Sequence, residues 1–241
     1  MFFDPQGHTT RRIPFRTVIN GIQRAREDAA SKLGITWELI MCFWRHLSAG
    51  AAKDVLQAST PYHDWIIGVG LDAAELGHPP SKFEWVYDRA REMGLKSLAH
   101  AGEEGPASYV REALDVLKVD RIDHGNSALD DAELTQRLVD AGMVLTVCPI
   151  SNVKLAGVDK MANHPLKTML DKGLAVTVNS DDPAYFGGYI NDNYIAVQQA
   201  LDLSIDDLHR LARTSFTGSF LADDAKAKHL AELDAYVAGF N

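Results

Sequence analysis

Leu98-Ala99-His100-Ala101-Gly102-Glu103-Glu104 is the stretch on which the reading of the fold turns. A short apolar run ends in a histidine, a glycine lets the backbone turn, and Glu103 stands three residues past His100. The pattern reads as a buried strand that brings a metal-ligand type of side chain and an acid–base type to one point. Arg121-Ile122-Asp123-His124-Gly125 and Val178-Asn179-Ser180-Asp181-Asp182-Pro183 end in the same way. Three strand ends, each loaded with polar chemistry, imply that function sits at one end of a set of strands.

Working outward, short apolar runs alternate with amphipathic stretches. Strands are predicted over Ile35 to Phe43, Trp65 to Leu71, Lys96 to His100, Arg121 to His124, Met143 to Cys148 and Leu174 to Asn179, with Phe2-Phe3 as the tail of another. Helices are predicted between them. One over 14–33 is stopped by Gly34, and another is opened by the capping-box spacing Ser81-Lys82-Phe83-Glu84. From about residue 190 onward the chain reads as helical. Strands that are apolar throughout, rather than alternating, are buried on both faces, as in a parallel sheet covered by helices. Either an open doubly wound sheet or a (β/α)8 barrel satisfies that pattern. No G-x-G-x-x-G or P-loop follows any strand, and polar residues close many different strands, which is the habit of the barrel. The expected fold is α/β: a TIM-type (β/α)8 barrel lacking its first strand and most of its second, with extra C-terminal helices, residues 1–241 forming a single domain. The two sheet edges left open in such a barrel predict self-association of the isolated chain.

The chain has 241 residues, of which 46% are hydrophobic, and its net charge is −9. That charge argues against a nucleic-acid backbone or an anionic membrane as partner, and leaves a small uncharged base open. The N-terminus lacks the basic and apolar regions of a signal peptide. The two cysteines, Cys42 and Cys148, form no C-x-x-C pair and suit a reducing cytoplasm.

At the strand ends, His100 and a carboxylate of the Asp181-Asp182 pair are ligand types that a catalytic zinc uses. Glu103 is placed to shuttle protons, and Glu104 reads as solvated. His124 is placed to stabilise charge on an attacking oxygen, and Asp123 beside it reads as structural. Asp181 and Asp182 would repel each other unless a cation or a donor lies between them. Ser151 and Asn152 read as pocket lining, Cys148 as a small buried residue, and His164 as a surface or loop histidine.

His100-Ala101-Gly102-Glu103, Asp123-His124-Gly125, Cys148-Pro149-Ile150-Ser151-Asn152 and Ser180-Asp181-Asp182-Pro183 together resemble the adenosine/adenine deaminase family of the metal-dependent hydrolases, in the family's order. The loop Gly70 to Phe83 and the start Phe2-Phe3-Asp4-Pro5-Gln6 are similar to its adenine-acting branch. The resemblance implies one Zn²⁺ per complete site, with His100 and Asp181 as ligands. It further implies Glu103 as donor of a proton to the purine ring nitrogen, His124 as the residue positioning the hydroxide, and Asp182 as the residue binding the purine. The implied reaction converts adenine to hypoxanthine and ammonia, in purine salvage. Adenosine and N6-substituted adenines are the alternative substrates, and a non-catalytic remnant the alternative function. A Schiff-base lyase would want a lysine at an inner strand end, and Lys154 lies beyond Asn152 in a loop. The family's first strand carries a His-x-His pair, which occurs nowhere in these 241 residues. The chain is therefore expected to be N-terminally truncated and impaired or inactive by itself.

Overall fold

Parallel strands followed by helices make up the chain, and the computed structural model describes residues 1–239. In order these are β1 (Phe2–Phe3), α1 (Gln6–Thr9), α2 (Phe15–Leu33), β2 (Leu39–Trp44), α3 (Ala49–Ser59), β3 (Ile66–Asp72), α4 (Glu84–Glu92), β4 (Lys96–Ala101) and α5 (Ala107–Asp115). Then come β5 (Arg121–His124), α6 (Ala132–Asp140), β6 (Val144–Val147), α7 (Pro149–Lys154), α8 (Leu166–Asp171), β7 (Ala175–Val178), α9 (Pro183–Phe186), α10 (Ile190–Leu201), α11 (Ile205–Thr217) and α12 (Asp223–Ala238). The described residues divide into two compact units, residues 1–101 with 108–120, and residues 102–107 with those from 121 onward. No helix among the described residues is long and apolar enough to cross a membrane.

In the first unit β1 to β4 form a parallel ladder. Phe3 aligns with Met41, Met41 with Val69, and Val69 with Ser97. Met41, Phe43, Val69, Leu71 and Leu98 are fully buried, as expected of strands covered on both faces. In the second unit β5, β6 and β7 are parallel, with Ile122 beside Leu145 and Leu145 beside Val176. Phe2-Phe3 is indeed a strand, paired to β2.

Two local expectations fail for identifiable reasons. The strand expected from Ile35 begins only at Leu39. Gly34 adopts a left-handed conformation (φ 64°), and the Ile35 N–H bonds back to the Ala29 carbonyl, so Ile35 belongs to the helix stop. The Ser81–Glu84 capping box does not form. Pro80 opens a 3₁₀ turn over Pro80–Phe83, α4 starts at Glu84, and the Ser81 N–H donates instead to Glu112 Oε2.

The polar centre of the first unit is Arg45, whose side chain is wholly buried just past β2. Its Nε donates to the His78 carbonyl at 2.9 Å and its Nη1 to the His100 carbonyl at 2.6 Å. The Glu75 carboxylate lies 3.8 Å from Nη1, and the guanidinium faces the Tyr109 ring at 5.7 Å. Burial lowers the Arg45 pKa, and Glu75 opposes that shift most strongly among its neighbours. One side chain thus ties the loop after β3 to the backbone of β4 at the histidine. Removing the counter-charge would strand a buried cation. Glu75→Leu is expected to cost about 3–5 kcal/mol, read as a lowered urea midpoint at unchanged m-value.

Candidate active site

His124 closes β5, and its backbone is left-handed (φ 66°), as is that of Gly125 (φ 77°). Asp181, just beyond β7, is also left-handed (φ 56°). L-residues with side chains larger than glycine seldom take this conformation, and strain of this kind gathers where backbone must aim a functional group. Gly102 (φ 76°) supplies the turn read from the sequence, and its carbonyl accepts from the Ser127 N–H at 3.0 Å. That bond sets the Glu103 segment beside the loop that leaves β5.

In the second unit Glu103 Oε1 stands 3.5 Å from His124 Nε2, with the His124 side chain only 1% exposed. One ligand-type atom each of His124, Cys148 and Asp181 lies within 4.8 Å of the other two. Carboxylate and imidazole are donor types zinc takes, so the Asp181 carboxylate fits that ion as a ligand; His124, with Nδ1 3.2 Å from Asn152 Nδ2 and Nε2 facing Glu103, is placed beside such an ion rather than on it. Cys148 is the least suited of the three. Burial, followed by the negative charges of Asp181, Glu103 and Asp123, pushes its thiol pKa well up, so the proton stays on sulfur. Asp123 has a structural pairing: its Oδ1 accepts from Thr146 Oγ1 at 2.6 Å and from Arg121 Nε at 3.3 Å. Asp182 occupies the position before α9, its carbonyl accepting from Tyr185 and Phe186 while its side chain makes no capping bond.

His100 belongs to the first unit, one residue before the end of β4. Its ring meets Phe2 edge-on, centroids 5.6 Å apart, and its carbonyl is held by Arg45. The second unit brings Glu103, His124 and Asp181 together, with Asp182 next in the chain; His100 and Arg45 are held within the first.

His164 lies in a loop, one of the two settings the sequence reading allows, but at a buried position. It is 3% exposed, not a surface residue, and its Nε2 lies 3.2 Å from Asn152 Oδ1. Asn152 Nδ2 in turn lies 3.2 Å from His124 Nδ1. His164 precedes a Pro-initiated helix, which looks like ordinary loop; only the contact across twelve residues gives it a role. Burial, and then the nearby His124, lower the His164 pKa from 6.5 to about 4.

Strand-end histidines and carboxylates on parallel α/β units are the side-chain types that metal-dependent hydrolases use. The adenosine deaminase family model matches residues 1–236, and the chain belongs to that family of hydrolytic deaminases. An adenine deaminase of Sphingopyxis alaskensis is 63% identical over 236 residues, covering 98% of this chain and 69% of the relative. The crystal structure of an adenine deaminase from Arthrobacter aurescens matches with a TM-score of 0.96 at 49% identity, over 98% of this chain and 72% of that one. A cog1816 amidohydrolase from Burkhoderia ambifaria, crystallised with bound Zn, matches with a TM-score of 0.89 at 30% identity, over 99% and 69%. The fold is accordingly the TIM-barrel-like fold of the amidohydrolases.

Between pH 6.5 and about 4 the unfolded chain takes up a proton that native His164 refuses, so this residue makes stability fall as pH drops through that window. The full effect is about 3 kcal/mol. His164→Gln should flatten that part of the pH dependence of the urea midpoint. At Asp181 (φ 56°), Asn tolerates the left-handed backbone whereas a β-branched side chain does not. Asp181→Asn should leave the melting temperature nearly unchanged, and Asp181→Val should cost about 1–2 kcal/mol.

Proposed function

We propose that this chain is a deaminase of adenine, releasing hypoxanthine and ammonia, with residues 1–241 acting as one hydrolase domain. The observation that carries the reading is the Glu103–His124 pair, 3.5 Å apart, in one cluster with Asp181 at left-handed strand ends. The likeness to adenine deaminases supports the choice of base. Water adds at C6 of the ring, the C6–N6 bond breaks and the amino group leaves as ammonia. Zinc, when bound, supplies a water of lowered pKa at neutral pH, and its proposed ligands are His100 and Asp181.

Each remaining role belongs to a side chain. Glu103 donates a proton to the ring nitrogen beside the reacting carbon and can take one back from water. His124 directs its Nε2 edge at the oxygen that attacks. Asp182 accepts a hydrogen bond from a purine ring N–H. The proposed setting is purine salvage in a reducing cytoplasm, where Cys42 and Cys148 remain free thiols.

The test follows loss of adenine absorbance alongside zinc content. The expected order of substrates is adenine first, with adenosine and N6-substituted adenines well behind. Glu103→Gln should lower kcat by about 10²–10⁴-fold at similar KM, the usual contribution of a positioned acid–base group. Turnover by this chain alone is expected to be weak, because it contains only His100 and Asp181 of the ligands the family resemblance implies. Preference for adenosine would overturn the adenine assignment, and robust turnover would overturn the expectation of weakness.

A further inference from the structure

The second unit contains a directed chain of hydrogen bonds behind His124. The Leu166 backbone N–H donates to His164 Nδ1 at 3.1 Å. His164 Nε2 lies 3.2 Å from Asn152 Oδ1, and Asn152 Nδ2 lies 3.2 Å from His124 Nδ1. His124 Nε2 then faces Glu103 Oε1 at 3.5 Å. His124, Asn152 and His164 are 1%, 1% and 3% exposed, so water does not compete for these atoms.

Only one assignment of protons satisfies the chain. A backbone N–H can donate and never accept, so His164 Nδ1 must offer a lone pair. A neutral imidazole with a bare Nδ1 carries its proton on Nε2. That N–H requires an acceptor, which fixes the Asn152 carbonyl oxygen towards His164 and its NH₂ towards His124. The NH₂ can only donate, so His124 Nδ1 is bare and its proton sits on Nε2. Reversing the amide would set two buried N–H groups face to face, each aimed at a donor instead of an acceptor. Burial keeps His164 neutral near pH 7, which preserves the direction of the chain.

We propose that Asn152 and His164 are positioning residues that lock His124 in its Nε2–H tautomer. Locked so, His124 is a hydrogen-bond donor at its working edge. It can hold and stabilise a developing negative oxygen there but cannot abstract a proton with that nitrogen. The consequence for catalysis rests on the role proposed above for His124. The tautomer itself is measurable without substrate, metal or turnover, so failure of the deaminase reading leaves this test intact.

The experiment is long-range ¹H–¹⁵N correlation of the histidine rings in the ¹⁵N-labelled chain near pH 7.5, with and without substitutions. The parent should show His124 and His164 both protonated on Nε2. In Asn152→Asp the side chain accepts from both neighbours, so His124 should move its proton to Nδ1 while His164 keeps Nε2–H. In His164→Phe the amide loses its director, and His124 should become a mixture of tautomers. A purely packing role for these residues would alter the melting temperature and leave the tautomer unchanged. Finding His124 protonated on Nδ1 in the parent, or fixed as Nε2–H in every variant that folds, overturns the proposal. Should neither variant fold, the parent spectrum decides.

Discussion

A polar group carried into an apolar interior has to be hydrogen-bonded there, and the strand ends of this protein are governed by that constraint. Each unit meets it with one buried side chain at the centre of several bonds. In the first, Arg45 serves the carbonyls of His78 and His100 and faces Glu75. In the second, Asn152 stands between His124 and His164. Without these centres, the strands could still bury their apolar faces, but the His78 and His100 carbonyls and the two imidazoles would lose these bonds.

The two centres differ in kind. Arg45 carries a charge, and its burial is costly unless the carboxylate and carbonyls around it remain in place. It therefore acts as a staple whose loss is felt as instability. Asn152 is neutral and has a direction, oxygen on one side and NH₂ on the other. What it transmits is polarity, from the fixed donor of a backbone amide to the imidazole of His124. Strained backbone at His124 and Asp181 belongs to the same economy of form: the rest of the fold holds these two residues in a conformation they would not choose.

Much of the scaffold was legible because parallel strands buried on both faces write themselves as unbroken apolar runs. Ile66–Asp72, Val144–Val147 and Ala175–Val178 fall where such runs predict. The failures are local and have local causes. Ile35 is apolar yet is consumed by the stop of α2 after Gly34, and Ser81 has capping-box spacing yet Pro80 opens a tighter turn. Hydrophobicity gives the existence of an element; turn geometry sets where it begins.

The sequence by itself determined the class of fold, the family, and the identity of the groups at the strand ends, because His100, Glu103, His124 and Asp181-Asp182 sit in local motifs whose order survives in one dimension. Only the tertiary structure decided the roles of Arg45, Asn152 and His164. Arg45 belongs to none of the sequence motifs, and His164 reads as a surface or loop histidine. Their partners lie 55 and 12 residues away along the chain, and a hydrogen bond between distant residues leaves no period or spacing to read. Its donor and acceptor are defined only once folding has removed water and brought them within reach.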